Sequence, residues 1–191
     1  MKSRRKVFFA LLFAVPFLLS GCSTVKKYMG NSTVFKKQIE QKIKTARLYN
    51  DFKTAAIGSA MLLNRKFVDE YLKFYKQEKQ PSYEMFQKKK NELYAYLNET
   101  TFLIKFYSPK DAFKSLGKGS KWQISFSTKD GKLYASKIKE TGPSDWSYLF
   151  GINDWNKRYI VKFDTKESSG IITISSILGK LKFNFRDNSK K

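Results

Sequence analysis

The chain contains no histidine and a single cysteine, Cys22, in 191 residues. Without histidine, it lacks the commonest general base, the commonest metal-ligating side chain and the one group whose ordinary pKa lies near neutrality. One cysteine permits no internal disulfide and no thiolate metal cluster. No metal, no cofactor and no catalytic residue is therefore expected. Acidic residues are also scarce, with 16 Asp and Glu against 38 Lys and Arg, a formal net charge of +22. Long apolar stretches are missing too. The run at residues 7–19, thirteen residues broken only by Pro16, is shorter than the roughly 20 apolar residues of a membrane-spanning helix. Glycine-rich phosphate loops are absent: "GSAML" and "SLGKGSKW" neither follow a strand nor open a helix, so nucleotide-binding readings fail. No internal repeat stands out.

What the chain does carry begins at its first residue. Lys2, Arg4, Arg5 and Lys6 precede the apolar run, and Leu19-Ser20-Gly21-Cys22 follows it. A cationic start, a short apolar stretch and small residues have the form of an export signal. The order Leu-x-small-Cys resembles the lipobox of bacterial lipoproteins. That resemblance implies a diacylglyceryl group on the Cys22 thiol, cleavage before Cys22 and acylation of the new amine. Several acyl chains anchor stably where one binds only marginally. "SRRKVFF" is similar to a twin-arginine export motif, but the short basic region and strongly apolar run favour the general secretory form. Cleavage would remove four basic and no acidic residues, leaving 34 basic against 16 acidic, or +18. Ser23 after the cysteine, by the sorting rule of that family, points to the outer membrane, on its periplasmic face or the cell surface.

The remainder divides by periodicity. Residues 1–21 read as the signal, 22–32 as a polar tether, 33–98 as helical, 99–187 as a β-sandwich and 188–191 as a polar tail. The fold class expected is α+β, with N-terminal antiparallel helices followed by a C-terminal antiparallel β-sandwich of immunoglobulin-like architecture, without the cysteine pair of that fold. Phe35, Ile39, Ile43 and Ala46 recur at helical spacing, and the pattern continues through Tyr49, Phe52, Ala56, Ala60 and Leu63. Pro81 breaks it, and Ser82 can cap the next helix. From Thr101 the period becomes two. Trp122, Ile124 and Phe126 alternate with polar residues, and Asp130-Gly131 marks a tight turn. "ARLYNDFKTAA" and "DGKLY…RYIVKF" are loosely similar to uncharacterised bacterial lipoproteins, a likeness that implies no activity.

Chemistry is sparse. Ser115-Leu116-Gly117-Lys118 is formally Ser-x-x-Lys, but it precedes a strand and reads as a turn. Acidic pairs for an envelope hydrolase would have to come from Asp69, Glu70, Glu78, Glu84, Asp145 and Asp154. The first four sit among helical lysines, where ion pairs account for them. "GPSDWSYLFGINDWNKRY" is the candidate ligand surface: Trp146, Tyr148 and Trp155 to stack on a sugar or grip an acyl chain, Asp145 and Asp154 to bond hydroxyls. The competing reading is a loop whose aromatics plug one end of the sandwich. The charge alone would name nucleic acid as partner. An exported, lipid-anchored chain meets the membrane instead, so no nucleic acid is expected. Anionic lipid, lipopolysaccharide or an envelope protein is expected in its place.

Overall fold

The computed structural model describes residues 39–142, 146–150 and 155–185, together with Phe35 and Lys37. Cys22, the signal, the tether, Asp145, Asp154 and the 188–191 tail lie outside the described residues. The chain divides between Gln38 and Ile39, and the sheets and helices belong to the unit Ile39–Lys191.

Among the described residues, nine strands form two antiparallel sheets. They are β1 (Lys44–Asn50), β2 (Lys53–Leu63), β3 (Thr100–Tyr107), β4 (Gln123–Thr128), β5 (Gly131–Tyr134), β6 (Lys137–Thr141), β7 (Lys157–Phe163), β8 (Ile171–Ser176) and β9 (Gly179–Asn184). One sheet runs β1-β2-β3-β7-β6, the other β5-β4-β8-β9. Their facing sides share one core. Phe102, Ile104, Phe106, Tyr159, Val161 and Phe163 come from the first sheet; Ile124, Phe126, Ile172, Ile174, Leu181 and Phe183 come from the second. All are at alternate positions of their strands, as a one-sided apolar face requires.

At Ala135–Ser136 the chain passes from one sheet to the other. The Ala135 N–H donates to the Ile124 carbonyl at 3.1 Å, whereas the Ser136 N–H donates to the Lys162 carbonyl at 2.9 Å. The crossing changes the parity of the strand, so Leu133 and Ala135 before it and Ile138 after it all pack on the core.

The other face of the five-stranded sheet carries Met61, Leu103 and Ile160, all buried. Two helices belong to this side, α1 (Arg65–Lys79) and α2 (Tyr83–Ala95). Asn64 caps α1 by accepting the Phe67 N–H at 2.8 Å, and Lys76 and Lys79 sit in its last turn, where cations suit the helix dipole. Gln80 closes it in the left-handed conformation before Pro81. Ser82 then caps α2, accepting the Met85 N–H at 3.3 Å. The helices run antiparallel: Tyr94 donates its hydroxyl proton to Asp69, and Lys76 Nζ stands 5.8 Å above the Phe86 ring. Thr101 ties them to the sheet by donating to the Tyr96 carbonyl at 2.7 Å.

The expectation of a wholly helical 33–98 is corrected at 44–63, where β1 and β2 form. Two of the five strands of the first sheet thus precede residue 99, and the helices are inserted between strands. The reason is burial on both faces. Ala56 and Ala60 face the shared core, while Ala55, Ser59, Met61 and Leu63 are buried on the helix side. A strand covered on both sides loses its apolar-polar alternation. The spacing of Ala56, Ala60 and Leu63 then reads as a helical stripe.

Candidate functional site

Antiparallel topology brings four connections to one end of the two sheets. These are the β1–β2 turn, the 108–122 segment before β4, the 142–156 segment before β7 and the β8–β9 turn. The register places Leu48 opposite Ala56, close to the β1–β2 turn, and Gly179 packs against Leu48. The two hairpin turns are therefore neighbours.

The 108–122 segment is pinned from inside. Phe113, Leu116 and Trp122 are buried, and the Trp122 indole N–H donates to the Phe113 carbonyl at 2.7 Å. Ser108 donates to the Ala55 carbonyl at 2.8 Å, and the Leu116 N–H donates to the Tyr159 hydroxyl at 3.1 Å. Burial pushes the Tyr159 phenol above its ordinary pKa, so it remains a neutral acceptor for Leu116. Ser115 accepts the Gly117 N–H at 3.3 Å, as in a serine turn. With the apolar residues turned in, Lys110, Lys114, Lys118 and Lys121 are left on the outside.

Of the residues singled out in 142–159, Trp146 and Trp155 are described, and they differ in exposure. Trp146 is buried, in a left-handed conformation with φ of 60°. Its ring centroid lies 5.3 Å from that of Tyr71 on α1, and Lys89 Nζ of α2 stands 5.6 Å over it. Its carbonyl accepts from the N–H groups of Leu149 and Phe150, which closes the single turn α3 (Ser147–Phe150). Trp146 thus fastens the connection to the helices. Trp155 stands 79% exposed. Asp145, Asp154 and the Tyr148 side chain lie outside the described residues.

Beneath this connection two cations sit side by side. Lys105 and Arg158 are direct partners in the β3–β7 register, on the face away from the core. Arg158 is buried, and Lys105 Nζ donates to the Phe150 carbonyl at 3.5 Å. Burial, with the Arg158 guanidinium adding to it, holds the Lys105 ammonium below the usual lysine pKa. At neutral pH the folded chain still carries that cost, which disappears only as pH rises from the lowered folded value toward the ordinary 10.5. Lys105→Met is therefore expected to stabilise the fold at neutral pH, with the gain shrinking in the alkaline range below 10.5. Urea denaturation of both proteins across that range checks this, and a less stable Met variant at neutral pH contradicts it.

Among the described residues, no group of three or more acidic or cysteine side chains is placed to hold a metal, and no helix is long and apolar enough to cross a membrane. A cleft of about 440 Å³ at the opposite end of the sheets is lined by Ser127, Thr128, Lys129, Glu167 and Ser169. Its carboxylate is engaged, with Lys129 Nζ 3.4 Å from Glu167 Oε1. No protein-family model, no curated protein and no solved structure matches this chain.

Sequence reasoning set Phe52 on a helical stripe and passed over Ile177, and so missed both as residues of the turn end. Phe52, at the tip of the β1–β2 turn, and Ile177, at the tip of the β8–β9 turn, are large apolar side chains turned to solvent. The signal available was an apolar residue inside a turn, in "NDFK" and "SILG", where polar residues or glycine are usual.

Proposed function

We propose that the chain is a lipid-anchored protein of the bacterial cell envelope with a non-catalytic binding or assembly role, its lysine-rich surface turned toward anionic lipid. The observation that carries this is the N-terminal arrangement: four basic residues, a thirteen-residue apolar run, then Leu19-Ser20-Gly21-Cys22. Cys22 is the acceptor of the acyl groups, and Ser23 directs the chain to the outer membrane. The surface chemistry agrees with the address. An excess of 18 cations over anions after cleavage draws the protein to a negatively charged bilayer or to lipopolysaccharide phosphates, each lysine near the surface contributing about 1 kcal/mol. A non-catalytic role is supported by how the aromatic residues are used. Trp122 and Trp146 are committed to packing, and the Glu99, Glu140 and Glu167 carboxylates are in ion pairs with Lys162, Lys157 and Lys129.

The test is Cys22→Ala in the producing cell. The variant is expected to take up no radiolabelled fatty acid, to accumulate as the uncleaved precursor and to leave the outer-membrane fraction. Normal maturation and labelling of the variant would overturn the anchor.

A further inference from the structure

We propose that the end of the sheets bearing the β1–β2 and β8–β9 turns docks on an anionic bilayer, with Phe52 and Ile177 entering the boundary between headgroups and acyl chains. This deepens the anionic-lipid reading above and rests on it for the partner, but not on acylation of Cys22. Phe52 carries the argument. It is fully exposed, and its backbone is left-handed with φ of 64°, following Asp51 at φ of 47°. Two successive positive φ values make a type I′ hairpin turn, in which glycine or asparagine is the relaxed choice at the second position. A phenylalanine there is strained by its Cβ and gains no packing in return. A residue that harms the isolated fold at both levels is accounted for by a contact outside it.

Ile177 is the second apolar tip. The β8–β9 turn turns Leu178 onto the core and leaves Ile177 90% exposed. Because Gly179 packs against Leu48, both tips project from one end. Trp155, two residues before β7, stands at that end as well.

Charge selects the occupant. Lys53, Lys110, Lys114, Lys118, Lys121 and Lys180 are exposed around these turns. Against them the described residues of this end offer Asp51, Asp111 and Glu140, the last two bridged to Lys114 at 3.1 Å and to Lys157 at 3.2 Å. Apolar tips within a ring of lysines match a bilayer, whose phosphates meet the ammonium groups while the tips reach the acyl boundary. An apolar protein groove would favour fewer lysines, which are depleted at protein interfaces.

The test uses the mature chain, residues 22–191, with Cys22→Ser, carrying one new cysteine at position 52, 177 or 130 labelled with an environment-sensitive fluorophore. Asp130 lies in the β4–β5 turn at the opposite end. Vesicles of phosphatidylcholine alone, or mixed with phosphatidylglycerol, are added. The expected result is a blue shift at 52 and 177 with the anionic vesicles, weakened by salt, and none at 130. An equal shift at 130, or no shift at 52 and 177, overturns the proposal. So does a shift at 52 and 177 that needs added membrane protein, which would make the partner a protein.

Phe52→Gly separates docking from folding. It is expected to raise the midpoint of urea denaturation while weakening binding to anionic vesicles, and Phe52→Ser with Ile177→Ser should weaken it at least about tenfold. A Phe52→Gly chain that binds as tightly as the parent refutes the docking end. Failure of acyl labelling at Cys22 bears on the anchor alone, because the labelled chains contain no acylated cysteine.

Discussion

Replacing Phe102 with alanine is expected to lower the unfolding free energy by about 3–5 kcal/mol. Phe102 is fully buried near the start of β3, the central strand of the five-stranded sheet. Its ring lies 5.2 Å from that of Phe126 across the core, 5.9 Å from Phe163 on the adjacent strand and 5.0 Å from Phe185 after β9. The Phe126 and Phe163 contacts are edge-on, at 66° and 84°, the geometry that adds to simple burial. Removing the ring deletes its transfer free energy and leaves a void that its neighbours cannot close, since Phe126 and Phe163 already pack on each other at 5.4 Å. Against a total stability of about 5–15 kcal/mol for a domain of this kind, such a loss takes much of the margin. Urea denaturation measures it, and a loss below about 1 kcal/mol would mean that the sheets do not share this core.

The same residue type has opposite meanings at 102 and 52, and the sequence separates them only where local pattern survives. From residue 100 onward it does. "TFLIKF" alternates between core and helix side, and Asp130-Gly131 turns where its chemistry says it must, with Gly131 at φ of 133°. In residues 44–63 both cues fail. The turn at 51–52 is Asp-Phe rather than Asp-Gly, so nothing marks a hairpin, and β2 is buried on both faces. The helices were legible from Pro81 and Ser82, because capping is a matter of two or three neighbouring residues. The site was legible in part. Tryptophan in 142–159 drew notice as an aromatic cluster, yet Trp146 and Trp155 diverge because one packs against Tyr71 of α1, which is distant in sequence. Phe52 falls on the apparent helical stripe for the same reason that residues of β1 and β2 do: its exposure depends on a turn the local sequence conceals.

Gly170→Ala is expected to cost about 3 kcal/mol, at the upper end for a single added methyl group. A Cβ at Gly170 would lie 2.4 Å from the Ser127 carbonyl oxygen and 2.6 Å from the Phe126 ring. Neither neighbour can give way easily. Ser127 is held on both sides, by Lys132 of β5 and Ile171 of β8. Phe126 is wedged against Phe102 and Phe163. Gly170 itself is fixed by the Phe185 N–H, which donates to its carbonyl at 2.8 Å. Gly119 supplies the control, since its φ is 75° with nothing within 4 Å of a Cβ. Alanine there meets only backbone strain, about 1 kcal/mol. Chemical denaturation of the two variants compares a steric with a conformational glycine, and equal losses would dismiss the contact explanation. Gly170 also lies at the end of the sheets opposite Phe52. A Gly170→Ala chain that still folds should bind anionic vesicles as the parent does, whereas Phe52→Gly should fold better and bind less. That inverse pairing distinguishes a surface built for docking from one that merely weakens when the fold does.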